Sequence, residues 1–219
     1  VPVAGTAVII AVSTRQQAKP PEFQGQRWWP DWQDPQTWRL GLLLGLGQMA
    51  YWVPNSFIAD YLRTGGHSEY IAAALTSLNA GQIPASLLVA AFPRLLVQKR
   101  WPLLLNGGLI VCATLGLVVS PPALAALWCA LLGFSGAFVF ILNLALPPLL
   151  AKPHDVHRLS AGIFSISYSC AFFGPLLGGA LWDATRIPAS GFWPVIAGAA
   201  IMSWLALRID LTRGRSATS

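Results

Sequence analysis

The chain has 219 residues, 55% of them hydrophobic and only 10% charged. Ordinary soluble domains carry about 25% charged residues, so a water-soluble globule of this size is excluded and the chain reads as an integral membrane protein. The net charge of +6 is no nucleic-acid signature, because the basic residues sit in the gaps between apolar runs and favour alternate gaps.

Residues 1–12, VPVAGTAVIIAV, are apolar but too short to span a membrane, and no basic region precedes them. They read as the remnant of a preceding transmembrane helix rather than a signal peptide. Residues 13–37 are polar and proline-containing and read as a cytoplasmic linker. Six candidate spans follow within 38–209, each near the ~20 residues that a helical crossing needs. They are Trp38–Leu62, Glu69–Phe92, Pro102–Val119, Ala123–Leu150, Leu159–Trp182 and Phe192–Leu207. Residues 210–219 form a cytoplasmic tail. Of the fourteen Lys and Arg residues, twelve fall on the side of the linker and tail, and only Arg63 and Arg186 fall on the other. This asymmetry puts both ends in the cytoplasm, and tryptophans such as Trp38, Trp101, Trp182 and Trp193 flank the span ends.

Polar residues at membrane depth need a partner or water, since each unpaired one costs several kcal/mol in hydrocarbon. In the first span Gln48, Tyr51, Trp52 and Asn55 follow an i, i+3, i+4, i+7 pattern, with Pro54 beside them. The second span carries Thr76, Asn79, Gln82, Ile83 and Ser86 on one face, and the fifth carries Ser165, Tyr168, Ser169 and Phe172. In the fourth, Ser135 and Asn143 share a face, eight residues apart. The third and sixth have little beyond Asn106 and Ser203. Four polar faces around one aqueous cavity, with the third and sixth spans outside against lipid, is the simplest packing. Tyr51, Trp52, Asn55, Asn79, Gln82, Asn143 and Tyr168 are the candidate solute-binding residues. For each the competing role is interhelical hydrogen bonding, worth about 0.6 kcal/mol on average. Glycine-rich stretches such as GPLLGGA (Gly174–Ala180) read as close helix packing.

The second and fifth spans overlay with Pro84 over Pro175, the first and fourth each have a late proline, and the third and sixth are the plainest. The fold expected is therefore all-α, six transmembrane helices as two inverted three-helix repeats. No ionisable residue lies in mid-span, and Asp60 falls near the outer end of the first. Buried proton relays and ion pairs are not expected here, and the solute is small and neutral or weakly anionic. No enzyme, cofactor or metal site is expected. GFSG (Gly133–Gly136) matches the serine signature of rhomboid-type intramembrane proteases, but His67, His154 and His157 all lie in loops. Cys112, Cys129 and Cys170 form no CxxC and read as small core residues.

Six spans after a cytoplasmic linker, a basic loop between the second and third, and GPLLGG in the fifth resemble the carboxy-terminal half of a major facilitator superfamily transporter, over 38–209. More narrowly, YWVPNSFIADYLRTGGHSEYIAAALTSLNAGQIPASLL (Tyr51–Leu88) resembles the cyanate permease family, which includes nitroimidazole and other small-solute transporters. The resemblance implies alternating access in a plasma membrane between two six-helix halves, with the first, second, fourth and fifth spans lining the cavity. Only one half is present, so it implies a partner: a missing amino-terminal half or a second chain. The alternative is a six-span solute-binding subunit of a larger transport complex.

Overall fold

The computed structural model describes residues 29–152 and 155–209. The expected helix remnant at 1–12, most of the linker, His154 and the tail at 210–219 lie outside the described residues.

The first helix, α1 (Pro35–Thr64), begins three residues earlier than the apolar run suggests. The Asp34 side chain caps it by accepting from the Gln36 N–H at 3.0 Å, and Pro35 occupies the first turn, where no N–H is needed. A 3₁₀ turn (Ser68–Tyr70) leads into α2 (Ile71–Ala80) and α3 (Gln82–Ala91), which form one span jointed at Gly81. Pro84 explains the joint: it has no N–H to offer the Ala80 carbonyl, four residues back. Then come α4 (Pro93–Leu96), α5 (Trp101–Val119), α6 (Ala125–Leu144), α7 (Pro147–Leu150), α8 (Val156–Thr185) and α9 (Trp193–Arg208). The fourth span, expected as one helix to Leu150, breaks after Leu144. Pro147 and Pro148 cannot donate to Asn143 and Leu144, and the Leu146 N–H closes a tighter turn on the Asn143 carbonyl at 3.1 Å.

There is no strand among the described residues, and the protein is all-α. Among the described residues, five segments are long and apolar enough to cross a membrane: Ser68–Ala91, Trp101–Val119, Pro122–Leu150, Val156–Thr185 and Pro188–Arg208. The helix α1 is not among them despite its 30 residues, because Gln48, Tyr51, Trp52, Asn55 and Ser56 interrupt its apolar run.

The helices α1 and α6 form the centre. Along one flank α8 lies on α1, where Gly41 and Gly45 let Ile166 and Cys170 approach. On the other flank α2 and α3 lie on α6. There Gly81 faces the Ala130 carbonyl and Gly133 faces the Leu78 carbonyl, each too close to admit a Cβ. Behind the central pair, α5 packs on α6, α9 packs on α1, and the two touch each other where Gly107 meets the Ser203 hydroxyl. Small residues at every crossing are what membrane helices need, because lipid supplies no hydrophobic drive and close van der Waals contact must.

The third and sixth spans stand behind the central pair with bare outer faces, such as Leu105 and Val119 on α5, but they are not the least covered. In α9 56% of the apolar stretch is buried, against 22% for the second span and 33% for α8. Val195, Ala199, Met202 and Ala206 of α9 are buried, while Ile201, Trp204 and Leu207 remain outside. Uniform apolarity does not distinguish a lipid neighbour from a helix neighbour. The second and fifth spans stand at the edges, leaving Ile83, Leu87, Tyr168 and Phe172 uncovered.

At one end of the bundle Arg158 Nε donates to the Trp29 carbonyl at 2.9 Å, and Arg100 Nε donates to the Ile209 carbonyl at 3.0 Å. These bonds gather the entry segment, the α3–α5 and α7–α8 connections and the end of α9. Arg39, Arg94, Lys99, Lys152 and Arg208 lie at the same end. At the opposite end the Tyr61 hydroxyl donates to the Val118 carbonyl and Phe57 meets Trp182. Arg63 and Arg186 are the described Lys and Arg residues found there.

Candidate functional site

Between the central pair and the two flanking spans lies a cavity of about 390 Å³. The wall from α1 is Gln48, Tyr51 and Trp52, and α3 adds Gln82 and Ser86. The α6 wall is Ala137, Phe140 and Ile141, and the α8 wall is Phe164, Ser167, Tyr168 and Ala171. Neither α5 nor α9 reaches it. The four contributing spans are those singled out by the polar-face reading.

The register explains how each helix reaches the cavity. Gln48, Tyr51 and Trp52 stand at i, i+3 and i+4, as do Ala137, Phe140 and Ile141, while Phe164, Ser167, Tyr168 and Ala171 extend to i+7. Each set covers one helical face over one or two turns. Tyr51 meets Trp52 edge-on, with centroids 5.3 Å apart. Phe164 lies 6.3 Å from Phe140 and stacks on Tyr168 at 6.2 Å. Among the described residues, no charged side chain lines the cavity. Its chemistry is two primary amides, four hydroxyls and aromatic faces, which suits an uncharged or weakly charged small molecule with flat surfaces and hydrogen-bonding edges. Pro175 in α8 removes the helical N–H partner of the Ala171 carbonyl, and Ala171 is part of the lining.

Of the sequence candidates, Tyr51, Trp52, Gln82 and Tyr168 line the cavity. Asn79 lies beside it and is engaged: its Oδ1 accepts from the Tyr51 hydroxyl at 3.0 Å, and its Nδ2 donates to the Leu75 carbonyl at 2.9 Å. Asn55 is exposed and outside the lining. It shares the face of Gln48, but three residues beyond Trp52 carry it about 4.5 Å further along the axis. Asn143 is buried at 2% exposure and turns its Nδ2 to the Val139 carbonyl at 2.9 Å, away from the cavity lining. Its companion Ser135 is also buried, with the Asn106 Nδ2 of α5 donating to its carbonyl at 3.2 Å. The polar pair on the fourth span therefore does not line the cavity, and the wall there is apolar.

On α8 the serine in the lining is Ser167, whereas Ser165 and Ser169 bond back to carbonyls of their own helix at 2.9 and 2.8 Å. Polar-face reasoning misses Phe140, Phe164 and Ser167. Their i, i+3, i+4 spacing is present in the sequence but has no polarity contrast to draw attention to it. GFSG is a packing element: Gly133 meets Leu78, Gly136 meets Tyr51, and the Ser135 Oγ contacts no hydrogen-bond partner. Cys129 is buried and Cys170 half-buried, but Cys112 is exposed and so is not a core residue. Comparison with protein-family models, with curated proteins and with solved structures finds no match to this chain.

Proposed function

We propose that the chain is a solute-transporting membrane domain that works by alternating access, one six-helix half of a secondary transporter of the major facilitator type. The carrying observation is the half-open cavity of about 390 Å³, uncharged and aromatic among the described residues and lined by α1, α3, α6 and α8. In this reading α1 is a sixth span, tolerable in a membrane because its polar stretch faces the cavity. Two contact patterns support two inverted three-helix repeats. The first span lies on the fifth as the second lies on the fourth, and the first meets the sixth as the third meets the fourth. Exchanging the halves preserves both patterns. The clustering of basic residues at one end supports cytoplasmic placement of that end in a plasma membrane. The uncovered edges of the second and fifth spans support a partner six-helix half, from the same polypeptide or from a second chain. The solute is small and neutral or weakly anionic. The resemblance to the cyanate permease family rests on Tyr51–Leu88 and narrows the solute no further.

A cavity lined within one chain also suits the second reading, a solute-binding subunit of a larger transport complex. Two measurements separate these. An antibody to residues 211–219 reports the mass of the native polypeptide in its source membrane. A band near twice 23.5 kDa supports the two-half carrier, and a band near 23.5 kDa supports a half-sized subunit. Uptake into proteoliposomes is then screened with small uncharged heterocycles and small monovalent anions. Uptake of none of them, by protein that is folded and inserted, would overturn the transport reading.

A further inference from the structure

We infer that Asn79 is a positioning residue rather than a solute contact, and that its bond to Tyr51 fixes the aromatic wall of the cavity while tying the outer half of the second span to the first. The inference deepens the proposed transport reading and rests on it. Asn79 is not in the cavity lining, and both ends of its amide are occupied, Oδ1 by the Tyr51 hydroxyl and Nδ2 by the Leu75 carbonyl. Gln82, three residues on, lines the cavity with no hydrogen bond from its amide. Gln48 is in the same state. Among the described residues, two side chain–side chain hydrogen bonds join spans: Thr185–Ser190 only closes the short turn between the fifth and sixth, whereas Tyr51–Asn79 ties two spans through residues 28 apart in sequence.

Its position gives the bond leverage. Asn79 belongs to α2, Gln82 and Ser86 belong to α3, and the joint at Gly81 lies between them. Gly81 is held against the Ala130 carbonyl of α6, so the joint is anchored while α2 beyond it is held to α1 by this bond. Tyr51 is the ring that meets Trp52 edge-on, so a freed Tyr51 hydroxyl also releases that wall.

The test measures access to the cavity without needing to know the solute. Ser167 is buried in the lining at 5% exposure. Ser167→Cys is introduced together with Cys112→Ala and Cys170→Ala, and the full chain in lipid nanodiscs is reacted with N-ethylmaleimide. Buried Cys129 in α6 serves as the internal control for general loosening. Tyr51→Phe and Asn79→Leu should each raise the labelling rate of the introduced thiol by about threefold, the factor matching an average interhelical bond in a membrane protein. The double variant should be no faster than either single one, Asn79→Asp should restore the slow rate by keeping an acceptor, and Cys129 labelling should stay unchanged. Unaltered rates at the introduced thiol, multiplying effects in the double variant, or a matching rise at Cys129 would each overturn the inference. In the same variants, uptake of any accepted solute should show a raised KM with kcat retained. If labelling follows the scheme but the wild type moves no solute, the pair stands as a structural tie and the transport reading alone fails.

Discussion

Replacing Gly133 by alanine tests the geometry that builds the cavity, and the size of the effect can be worked out. Gly133 of α6 lies against the backbone carbonyl of Leu78, and Gly81 lies reciprocally against that of Ala130. Alanine gains about 0.5–1 kcal/mol over glycine inside a helix. A methyl forced into a filled site costs about 1–3 kcal/mol, and the upper part of that range applies because the obstacle is backbone rather than a movable side-chain tip. The net expectation is a loss of about 1–2 kcal/mol. Gly108 of α5 provides the matched control, since a Cβ there meets nothing within 4 Å. Gly108→Ala should show only the helix term and gain about 0.5–1 kcal/mol. The two substitutions are chemically identical and should act in opposite directions. Both can be read from SDS-titrated unfolding in mixed micelles, followed by helical circular dichroism. A Gly133→Ala protein as stable as the wild type would refute the crossing of α2–α3 over α6, and with it the position of Gln82 in the cavity.

Removing an amide from the lining should weaken solute binding, so Gln48→Leu and Gln82→Leu should each raise the uptake KM by about 5–10-fold, for the loss of a hydrogen bond worth about 1–1.5 kcal/mol. Asn55→Ala, outside the lining, should leave KM within about twofold of wild type, and a large effect there would mean that the cavity extends further along α1. Ser135→Ala removes a buried hydroxyl that has no partner, so it should leave unfolding unchanged or improve it by up to about 1 kcal/mol. A marked loss would show that the hydroxyl is bonded in the membrane-embedded protein. Arg158→Ala should free the entry segment that Arg158 holds through the Trp29 carbonyl and the Asp31 carboxylate. Chymotryptic cleavage around Trp32 should then accelerate several-fold, and an unchanged rate would show that other contacts hold the segment.

What can be read from the sequence and what cannot divides along a physical line. Helix positions are legible because the spanning length and the polar gaps are set by the bilayer. The breaks at Gly81 and after Leu144 follow from Pro84, Pro147 and Pro148, which are visible in the sequence but are equally compatible with kinks inside continuous spans. The four helices around the cavity are legible from polarity, yet polarity misassigns residues within them. Asn143 and Ser135 are polar and buried elsewhere, while Phe140 and Phe164 are apolar and line the site. A membrane helix has two ways to satisfy an amide, a neighbouring backbone carbonyl or a water-filled cavity, and the sequence writes both in the same residue types. Asn79 and Gln82 sit three residues apart on one span and take different routes.

Neighbour relations follow a different signal. In water an apolar face marks the core, but here lipid and protein are equally apolar, and so apolarity alone does not tell how much of α9 its neighbours cover. The glycines carry the missing information, because a residue without a Cβ is needed where backbones approach. Gly41 and Gly45 mark the α8 contact, Gly81 and Gly133 the crossing of the second and fourth spans, and Gly107 the α5–α9 contact. Gly108, next in line, meets nothing, so glycine identity alone is not sufficient. It is the facing atom that informs: a glycine pressed against another helix's backbone or the base of its side chain fixes two helices against each other. The cavity then lies between the fixed pairs, α1–α8 on one flank and α3–α6 on the other.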